Sequence, residues 1–246
     1  MNAIRSILVF TWIVLSVIPC GIALVLCSVF LRSDTLWWWF AAPFLRGVIV
    51  AARIVGGVKY RVHGEDNLPK ADDMRRVVLC PKHQSTWETF YFPSMTSHPL
   101  AYVFKKELLR IPIFGWCMGR LDMIHIDRKQ RAQAWNKVAE QGKILMDDGK
   151  WIIMFPEGTR IERGKKGSYK AGASRLAVAT DAYIIPIAVT SGRCWPRRSF
   201  ALRPGIIDVS IGHPVSAAGR EPGELMEEIE RWIESEMHRL DPEAYK

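Results

Sequence analysis

The sequence predicts an α/β fold, a mixed sheet flanked by helices, that is preceded by two hydrophobic N-terminal helices. From about residue 58 onward, short runs rich in β-branched residues alternate with longer amphipathic segments, which is typical of a sheet covered by helices. The first 57 residues are instead dominated by two long apolar segments. We therefore divide the chain into membrane-anchoring helices, residues 1–57, and an α/β domain, residues 58–246.

The first apolar segment is long enough to cross a bilayer. Residues 6–31 carry no charged side chain, and about 20 apolar residues span a hydrocarbon layer about 30 Å thick as a helix. A cleaved signal peptide would have a shorter apolar run followed by small residues, whereas this run ends in Phe30-Leu31-Arg32. We expect the segment to be retained.

The second apolar segment, residues 35–58, contains three consecutive tryptophans but is interrupted by Arg46 and Arg53. Arginine is costly at the centre of a bilayer, and tryptophan favours the headgroup region. We expect this segment to lie in the interface with its arginines extended toward the headgroups, so that the two segments form an anchoring hairpin. The alternative is a single spanning helix followed by a buried helix.

The net charge of +9 suits an anionic partner, either nucleic acid or a membrane surface with a phosphate-bearing substrate. The apolar N-terminus favours the second, so we expect membrane lipids and no nucleic acid as partners. We place the α/β domain on the cytoplasmic face of the inner membrane. Cysteines occur at positions 20, 27, 80, 117 and 194 without CxxC spacing, so neither a disulfide framework nor a metal site is predicted.

The apolar periodicity predicts the individual strands and helices of the domain. The strands are Val58–Val62, Val77–Cys80, Ala101–Phe104, Met123–Ile126, Trp151–Phe155, Ile184–Val189 and Ile206–Ile211. The amphipathic helices are Gln130–Asp147, Ala171–Thr180 and Gly223–Leu240.

Polar clusters directly follow three of the predicted strands. They are Pro81-Lys82-His83, Asp127-Arg128 and the run from Pro156 to Arg160. Ligands of open α/β sheets bind beyond the carboxyl ends of the strands. We expect the three clusters to converge on one site.

The stretch "CPKHQSTWET", residues 80–89, allows two interpretations of Glu88. Ser85-Thr86-Trp87-Glu88 has the spacing of a capping box, in which Glu88 would only close the start of a helix. Alternatively, Glu88 accepts a hydrogen bond from His83 and so leaves the second ring nitrogen free to act as a general base. On one regular helix the two side chains would lie about 140° apart, so the pair requires His83 to precede the helix.

A covalent mechanism is disfavoured because there is no G-x-S-x-G elbow around Ser85, and Cys80 belongs to an apolar strand. A substrate hydroxyl activated by His83 needs no protein nucleophile.

The stretch resembles the H-x4-D signature of the PlsC-like glycerolipid acyltransferase family, which includes the 1-acylglycerol-3-phosphate acyltransferases, with Glu88 in place of the usual aspartate. Further segments resemble family motifs in the same order. They are "FKKELLRIPIFGW" (104–116), "MIHIDR" (123–128), "FPEGTR" (155–160), "YKAG" (169–172) and "IIPIAV" (184–189). The resemblance covers about residues 58–216.

The resemblance implies an enzyme that transfers an acyl chain from acyl-CoA or acyl carrier protein to lysophosphatidic acid, which forms phosphatidic acid in phospholipid biosynthesis. It implies His83 and Glu88 as the catalytic pair and no bound metal or cofactor. The predicted substrate-binding residues are Lys105, Arg128, Glu157, Gly158, Thr159, Arg160 and Lys170. Arg128 and Arg160 would each donate two hydrogen bonds to the phosphate, and Gly158 would let backbone N–H groups approach it. Glu157 would orient an arginine or a glycerol hydroxyl.

Three alternatives remain open at this point. The acceptor can be another lysolipid, such as a lyso-ornithine lipid or lysophosphatidylglycerol. The chain can be a thioesterase, or a non-catalytic membrane protein that binds anionic lipid through its basic residues.

Overall fold

A computed structural model describes residues 2–126 and 131–246, and within them it has a mixed sheet with helices on both faces. The strands are β1 (Val58–His63), β2 (Val77–Pro81), β3 (Leu100–Lys105), β4 (Ile124–Ile126), β5 (Trp151–Ile153), β6 (Tyr183–Val189), β7 (Gly205–Ile211) and β8 (Val215–Ser216). The helices are α1 (Asn2–Cys27), α2 (Ser33–Leu36), α3 (Ala42–Ile54), α4 (Trp87–Met95), α5 (Phe114–Met118), α6 (Arg131–Asp147), α7 (Gly172–Ala179) and α8 (Pro222–Leu240). The predicted fold class is confirmed.

The sheet follows the order β1-β7-β6-β2-β5-β3-β4, and β8 pairs with β6. The pairings β1–β7, β2–β5, β2–β6, β3–β4 and β3–β5 are all parallel. Only the β6–β7 and β6–β8 pairings are antiparallel among the described strands. Each of the seven predicted strands is present, with ends shifted by at most two residues. The strand β8 was missed because two residues are too few to show a period of two.

Because β2 to β6 are parallel, their carboxyl ends lie at one edge of the sheet. Pro81 ends β2, Ile153 ends β5 and Val189 ends β6. The polar residues that follow these strands therefore share one edge, as predicted. The cluster Asp127-Arg128 after β4 lies outside the described residues.

Alternate residues of the central strand β2 enter two different apolar layers. Val77 and Leu79 pack in the layer that contains α3 and α4, whereas Val78 and Cys80 pack in the layer formed with α6, α7 and α8. All four side chains are completely buried. This two-sided burial explains why β2 is a continuous apolar run and has no polar alternation.

The N-terminal segments form a hairpin of α1 with the helical run from α2 to α3. Both arms are long and apolar enough to cross a membrane by length and composition. The outer face of the hairpin is apolar and open, with side chains such as Leu15 (68% exposed) and Phe30 (88% exposed). A π-helical turn, Trp37–Ala41, joins α2 to α3 and carries the predicted tryptophan cluster.

The helix α1 contacts the domain at several points along its length. Near its start, the Ser6 hydroxyl accepts a hydrogen bond from the Leu202 N–H at 2.9 Å. Further along, the Cys117 thiol donates to the Gly21 carbonyl at 3.6 Å. At the hairpin tip, the Ser33 hydroxyl accepts from the Asp122 N–H at 3.0 Å. The hairpin therefore lies along one face of the domain.

Arg46 differs from its expected position. Its guanidinium is not directed to the headgroups alone but donates from Nη2 and Nε to the Ser94 carbonyl, at 3.1 and 3.3 Å. Ser94 lies in the last turn of α4, where carbonyl groups lack a partner within the helix and need an external donor. Both Arg46 and Arg53 are exposed residues.

The fit of α1 against α5 predicts opposite effects for the same substitution at two glycines. A Cβ at Gly21 would lie 2.4 Å from Cγ2 of Ile113, a β-branched residue held at φ 63°. A Cβ at Gly223, in the first turn of α8, would meet nothing within 4 Å. We expect Gly21→Ala to destabilise the protein by about 1–2 kcal/mol and Gly223→Ala to stabilise it by about 0.5 kcal/mol. Thermal unfolding in detergent measures both, and equal shifts would contradict the close packing of α1 on the domain.

Candidate active site

The side chains of His83 and Glu88 meet at the carboxyl edge of the sheet. His83 lies after β2 and before α4, as the pairing requires, and its Nδ1 lies 3.2 Å from Oε2 of Glu88. The Glu88 side chain is fully buried, whereas the imidazole remains 12% exposed. With Oε2 of Glu88 as the acceptor of this hydrogen bond, Nδ1 carries the proton and Nε2 is the basic nitrogen.

Glu88 also accepts backbone N–H groups just before α4, so both interpretations of the sequence describe real contacts. Its carboxylate accepts hydrogen bonds from the Gln84 N–H at 3.0 Å and from the Ser85 N–H at 2.9 and 3.0 Å. The Ser85 hydroxyl in turn accepts from the Trp87 N–H at 3.0 Å. These backbone donors satisfy the buried carboxylate and hold it in place.

A further donor reaches Glu88 from a distant part of the chain. The hydroxyl of Ser191 donates to Oε1 of Glu88. Ser191 begins a 3₁₀ turn two residues after the end of β6 and is completely buried. Sequence analysis missed this residue, although its position after a strand end is the signal that identified the other clusters.

The peptide groups around His83 are held by the segment that follows β5. The His83 N–H donates to Oε2 of Glu157 at 2.8 Å, and its carbonyl accepts from the Ile161 N–H at 2.7 Å. The imidazole stacks on the ring of Phe155, with centroids 3.8 Å apart. The "FPEGTR" segment therefore fixes both the backbone and the ring of His83.

Glu157 is placed differently from the prediction. Its side chain is fully buried and forms an ion pair with Lys82, Nζ to Oε1 2.8 Å, rather than with an arginine or an open hydroxyl position. Burial raises the pKa of the Glu157 carboxyl, and the Lys82 ammonium and the His83 N–H oppose this rise. Glu157 thus lies beneath His83, where it supports the site from inside.

Gly158, Thr159 and Arg160 form the exposed part of the same segment. Gly158 adopts φ 63°, the left-handed conformation that favours glycine, and donates its own N–H to the Phe155 carbonyl at 3.0 Å. Among the described residues, the N–H groups of Thr159 and Arg160 have no hydrogen-bond acceptor. Thr159 is exposed and Arg160 is half-buried. Successive free N–H groups beside an arginine can bind an anion, but the N–H of Gly158 itself is used within the turn.

The remaining predicted substrate-binding residues, Lys105, Lys170 and Arg128, lie outside the "FPEGTR" segment. Lys105 ends β3 and is exposed. Lys170 is also exposed, and its N–H donates to the Pro156 carbonyl at 2.9 Å, which places it beside the "FPEGTR" segment. Arg128 lies outside the described residues, so its predicted phosphate contact stays a prediction.

Neither Cys80 nor Ser85, the two residues considered as protein nucleophiles, is accessible to a substrate. The Cys80 thiol is completely buried, and burial raises its pKa far above the usual range, so it remains protonated. Ser85 is also completely buried, and its hydroxyl accepts the Trp87 N–H at the start of α4. Neither residue is therefore placed to act as a nucleophile.

A group of three aspartates lies away from this site. Carboxylate oxygens of Asp34, Asp122 and Asp148 lie within 4.8 Å of one another. The ammonium of Lys150 lies among them, 3.1 Å from Asp34 and 3.4 Å from Asp122, and also pairs with Asp148. Lys150 immediately precedes β5, so this ion cluster ties the hairpin tip to the opposite edge of the sheet.

Comparison with known proteins agrees with this geometry. A family model described as Acyltransferase matches residues 59–190, which include His83, Glu88 and the "FPEGTR" segment. The chain is 35% identical over 245 residues to the 1-acyl-sn-glycerol-3-phosphate acyltransferase of Pseudomonas aeruginosa, and the match covers 98% of this chain and 93% of that protein. The chain belongs to the acyltransferase family. The family resemblance of the sequence motifs is thereby confirmed.

One further sequence relative and one solved structure are similar to this acyltransferase. A 1-acyl-sn-glycerol-3-phosphate acyltransferase of Streptococcus pneumoniae is 28% identical over 207 residues, 82% of this chain and 73% of that protein. The crystal structure of the 1-acyl-sn-glycerophosphate (LPA) acyltransferase PlsC from Thermotoga maritima superimposes with a TM-score of 0.79 at 22% identity. That match covers 98% of this chain and 96% of that chain, which includes the N-terminal hairpin.

The buried hydroxyl of Ser191 generates a prediction about acyltransferase activity. Ser191→Ala removes a hydrogen bond to the carboxylate that orients His83, so we expect kcat to fall about tenfold, the equivalent of about 1.4 kcal/mol. Ser216→Ala is the matched control, because Ser216 lies on β8 at the opposite end of β6 and is exposed. Steady-state rates of the two purified variants provide the comparison, and an unchanged kcat for Ser191→Ala would remove this residue from the site.

Proposed function

We propose that this acyltransferase transfers an acyl chain from an acyl thioester, acyl-CoA or acyl carrier protein, to the sn-2 hydroxyl of lysophosphatidic acid. The products are phosphatidic acid and the free thiol of the donor. The observation that carries the proposal is the contact between Nδ1 of His83 and the buried Glu88 carboxylate, which leaves Nε2 free on the exposed side. The names of the similar proteins point to the same acceptor.

In the proposed mechanism, Nε2 of His83 removes the proton of the sn-2 hydroxyl as its oxygen attacks the thioester carbonyl carbon. Glu88 stabilises the imidazolium that forms. When the tetrahedral intermediate collapses, the carbon–sulfur bond breaks and the departing thiolate takes the proton back from His83. All atoms and protons are accounted for without a metal or a bound cofactor, so we propose that none is required.

We propose that the phosphate of the acceptor binds at the exposed end of the "FPEGTR" segment. The half-buried Arg160 has no ion-pair partner among the described residues, and the adjacent N–H groups are free there. A guanidinium can donate two parallel hydrogen bonds to a phosphate. In this proposal, Lys105 and Lys170 raise the local concentration of anionic substrate from exposed positions. Arg128 donates a second pair of hydrogen bonds to the phosphate.

We also propose that the hairpin holds the enzyme at the surface of the cytoplasmic membrane with its domain on the cytoplasmic side. The open face of the hairpin is apolar and runs along the domain. A helix in this position buries its apolar face in the headgroup and acyl boundary. Lysophosphatidic acid can then reach His83 while its acyl chain stays in the membrane.

The first test compares His83→Ala with His213→Ala, since His213 is exposed and lies between β7 and β8. Loss of the general base should lower kcat by about 10²–10⁴-fold, while the control keeps wild-type turnover. Phosphatidic acid formation from lysophosphatidic acid and each thioester donor in detergent measures this, with thermal unfolding to verify both folds. Equal activity of the two variants would exclude His83 as the base, and release of free fatty acid without acceptor would indicate a thioesterase.

The second test concerns the acceptor headgroup. Arg160→Ala should raise KM for lysophosphatidic acid about 10- to 100-fold, because an ionic hydrogen bond to phosphate is lost, while KM for the thioester stays unchanged. Arg175→Ala, an exposed arginine on α7, is the control. Lysophosphatidylglycerol, whose phosphate is shielded by a headgroup, should be a poor acceptor for the wild type. Equal turnover of both acceptors would favour the wider lysolipid specificity.

A further inference from the structure

A buried ion cluster lies beneath His83, and the mechanism above does not use most of it. Lys82 is completely buried, although a charged lysine in a protein interior is costly unless it is paired. Its Nζ lies 2.8 Å from Oε1 of Glu157 and 2.6 Å from Oε1 of Glu234. The Tyr169 hydroxyl donates to the same Glu234 oxygen at 2.7 Å. We call Lys82, Glu157, Glu234 and Tyr169 the sub-site cluster.

The cluster connects the last long helix to the histidine. Glu234 lies on the buried face of α8, and the ion pairs lead from it through Lys82 to Glu157. The second oxygen of Glu157 accepts the His83 N–H at 2.8 Å. Lys82 is also adjacent to His83 in the chain, and its own N–H extends the sheet by donating to the Ile187 carbonyl at 2.8 Å. The His83 backbone is therefore held by a chain of charges that begins on α8.

Two carboxylates share one ammonium in this cluster, so each component depends on the others. Without Lys82, the carboxylates of Glu157 and Glu234 would be buried without their cation. Without Glu234, Lys82 would keep only one anionic partner and could rotate away from Glu157. The Glu157 side chain must be fixed in place to accept the His83 N–H in this geometry, and a shift of about 1 Å at a reacting group can cost about 100-fold in rate.

We propose that Lys82 and Glu234 are positioning residues of the acyl transfer, which hold the His83 peptide in place through Glu157. This makes α8, about 150 residues away in sequence, part of the catalytic apparatus. The expected effect on turnover rests on the proposed function. The role of the cluster in holding the His83 backbone does not depend on that function.

Glu234→Gln is the decisive variant, because it removes one charge and keeps the side-chain shape. Glu230→Gln is the matched control, since Glu230 lies on the same helix and pairs with Lys166 outside the cluster, 2.6 Å apart. We expect Glu234→Gln to lower kcat about tenfold, with KM for both substrates within about twofold of wild type. The control should leave all three constants unchanged.

A double-mutant cycle separates positioning from a general loss of stability. If Glu234 acts through Glu157, the variant Glu157→Gln/Glu234→Gln should be no slower than Glu157→Gln alone, whereas independent effects would multiply. If Glu234→Gln does not fold, Tyr169→Phe removes only the hydroxyl contact to Glu234 and should lower kcat about two- to fivefold. Unchanged kcat in the variant that folds, or multiplicative losses in the cycle, would overturn the proposal.

Amide hydrogen exchange provides a readout that needs no turnover. The peptide that contains His83 should exchange at least about tenfold faster in Glu234→Gln than in wild type or Glu230→Gln. Equal exchange in all three proteins would overturn the positioning role. If the wild type does not acylate lysophosphatidic acid, the proposed function fails, and the exchange rates still decide whether the cluster holds the His83 backbone.

Discussion

The hydrogen bond between His83 and the buried carboxylate of Glu88 is the interaction on which the site depends. It fixes which imidazole nitrogen is basic and which way that nitrogen points. The carboxylate can hold the ring only because it is itself held, by two backbone N–H groups at the start of α4 and by the Ser191 hydroxyl. A single glutamate therefore closes the start of the helix and orients the imidazole of His83. The additional methylene of glutamate relative to aspartate does not prevent contact with the imidazole.

The parallel arrangement of β2, β5 and β6 brings these groups together. Each strand ends at the same edge, and each supplies one part of the site: His83 after β2, the "FPEGTR" segment after β5 and Ser191 after β6. The segment after β5 has two faces with different tasks. Its inward face, Glu157, supports the His83 backbone, and its outward face leaves Arg160 and free N–H groups at the surface.

The hairpin and the domain share one apolar core. Val9, Leu24 and Trp37 of the hairpin belong to the same buried layer as Leu79 and Trp87. Arg46 closes the end of α4, the helix whose start carries Glu88. The hairpin is thus packed against the helix that carries Glu88 of the candidate site.

The sequence by itself determined the fold class, seven strands and the His83–Glu88 pair, because these depend on local periodicity and on short spacings along the chain. Only the tertiary structure decided which partners reach the site from far away. Ser191 lies 103 residues from Glu88, and Glu234 lies 152 residues from Lys82. Such contacts depend on strand order and helix packing, which no local pattern encodes. The position of Glu157 was missed for the same reason. Its carboxylate points inward to the buried Lys82, and the strand periodicity does not show where Lys82 lies.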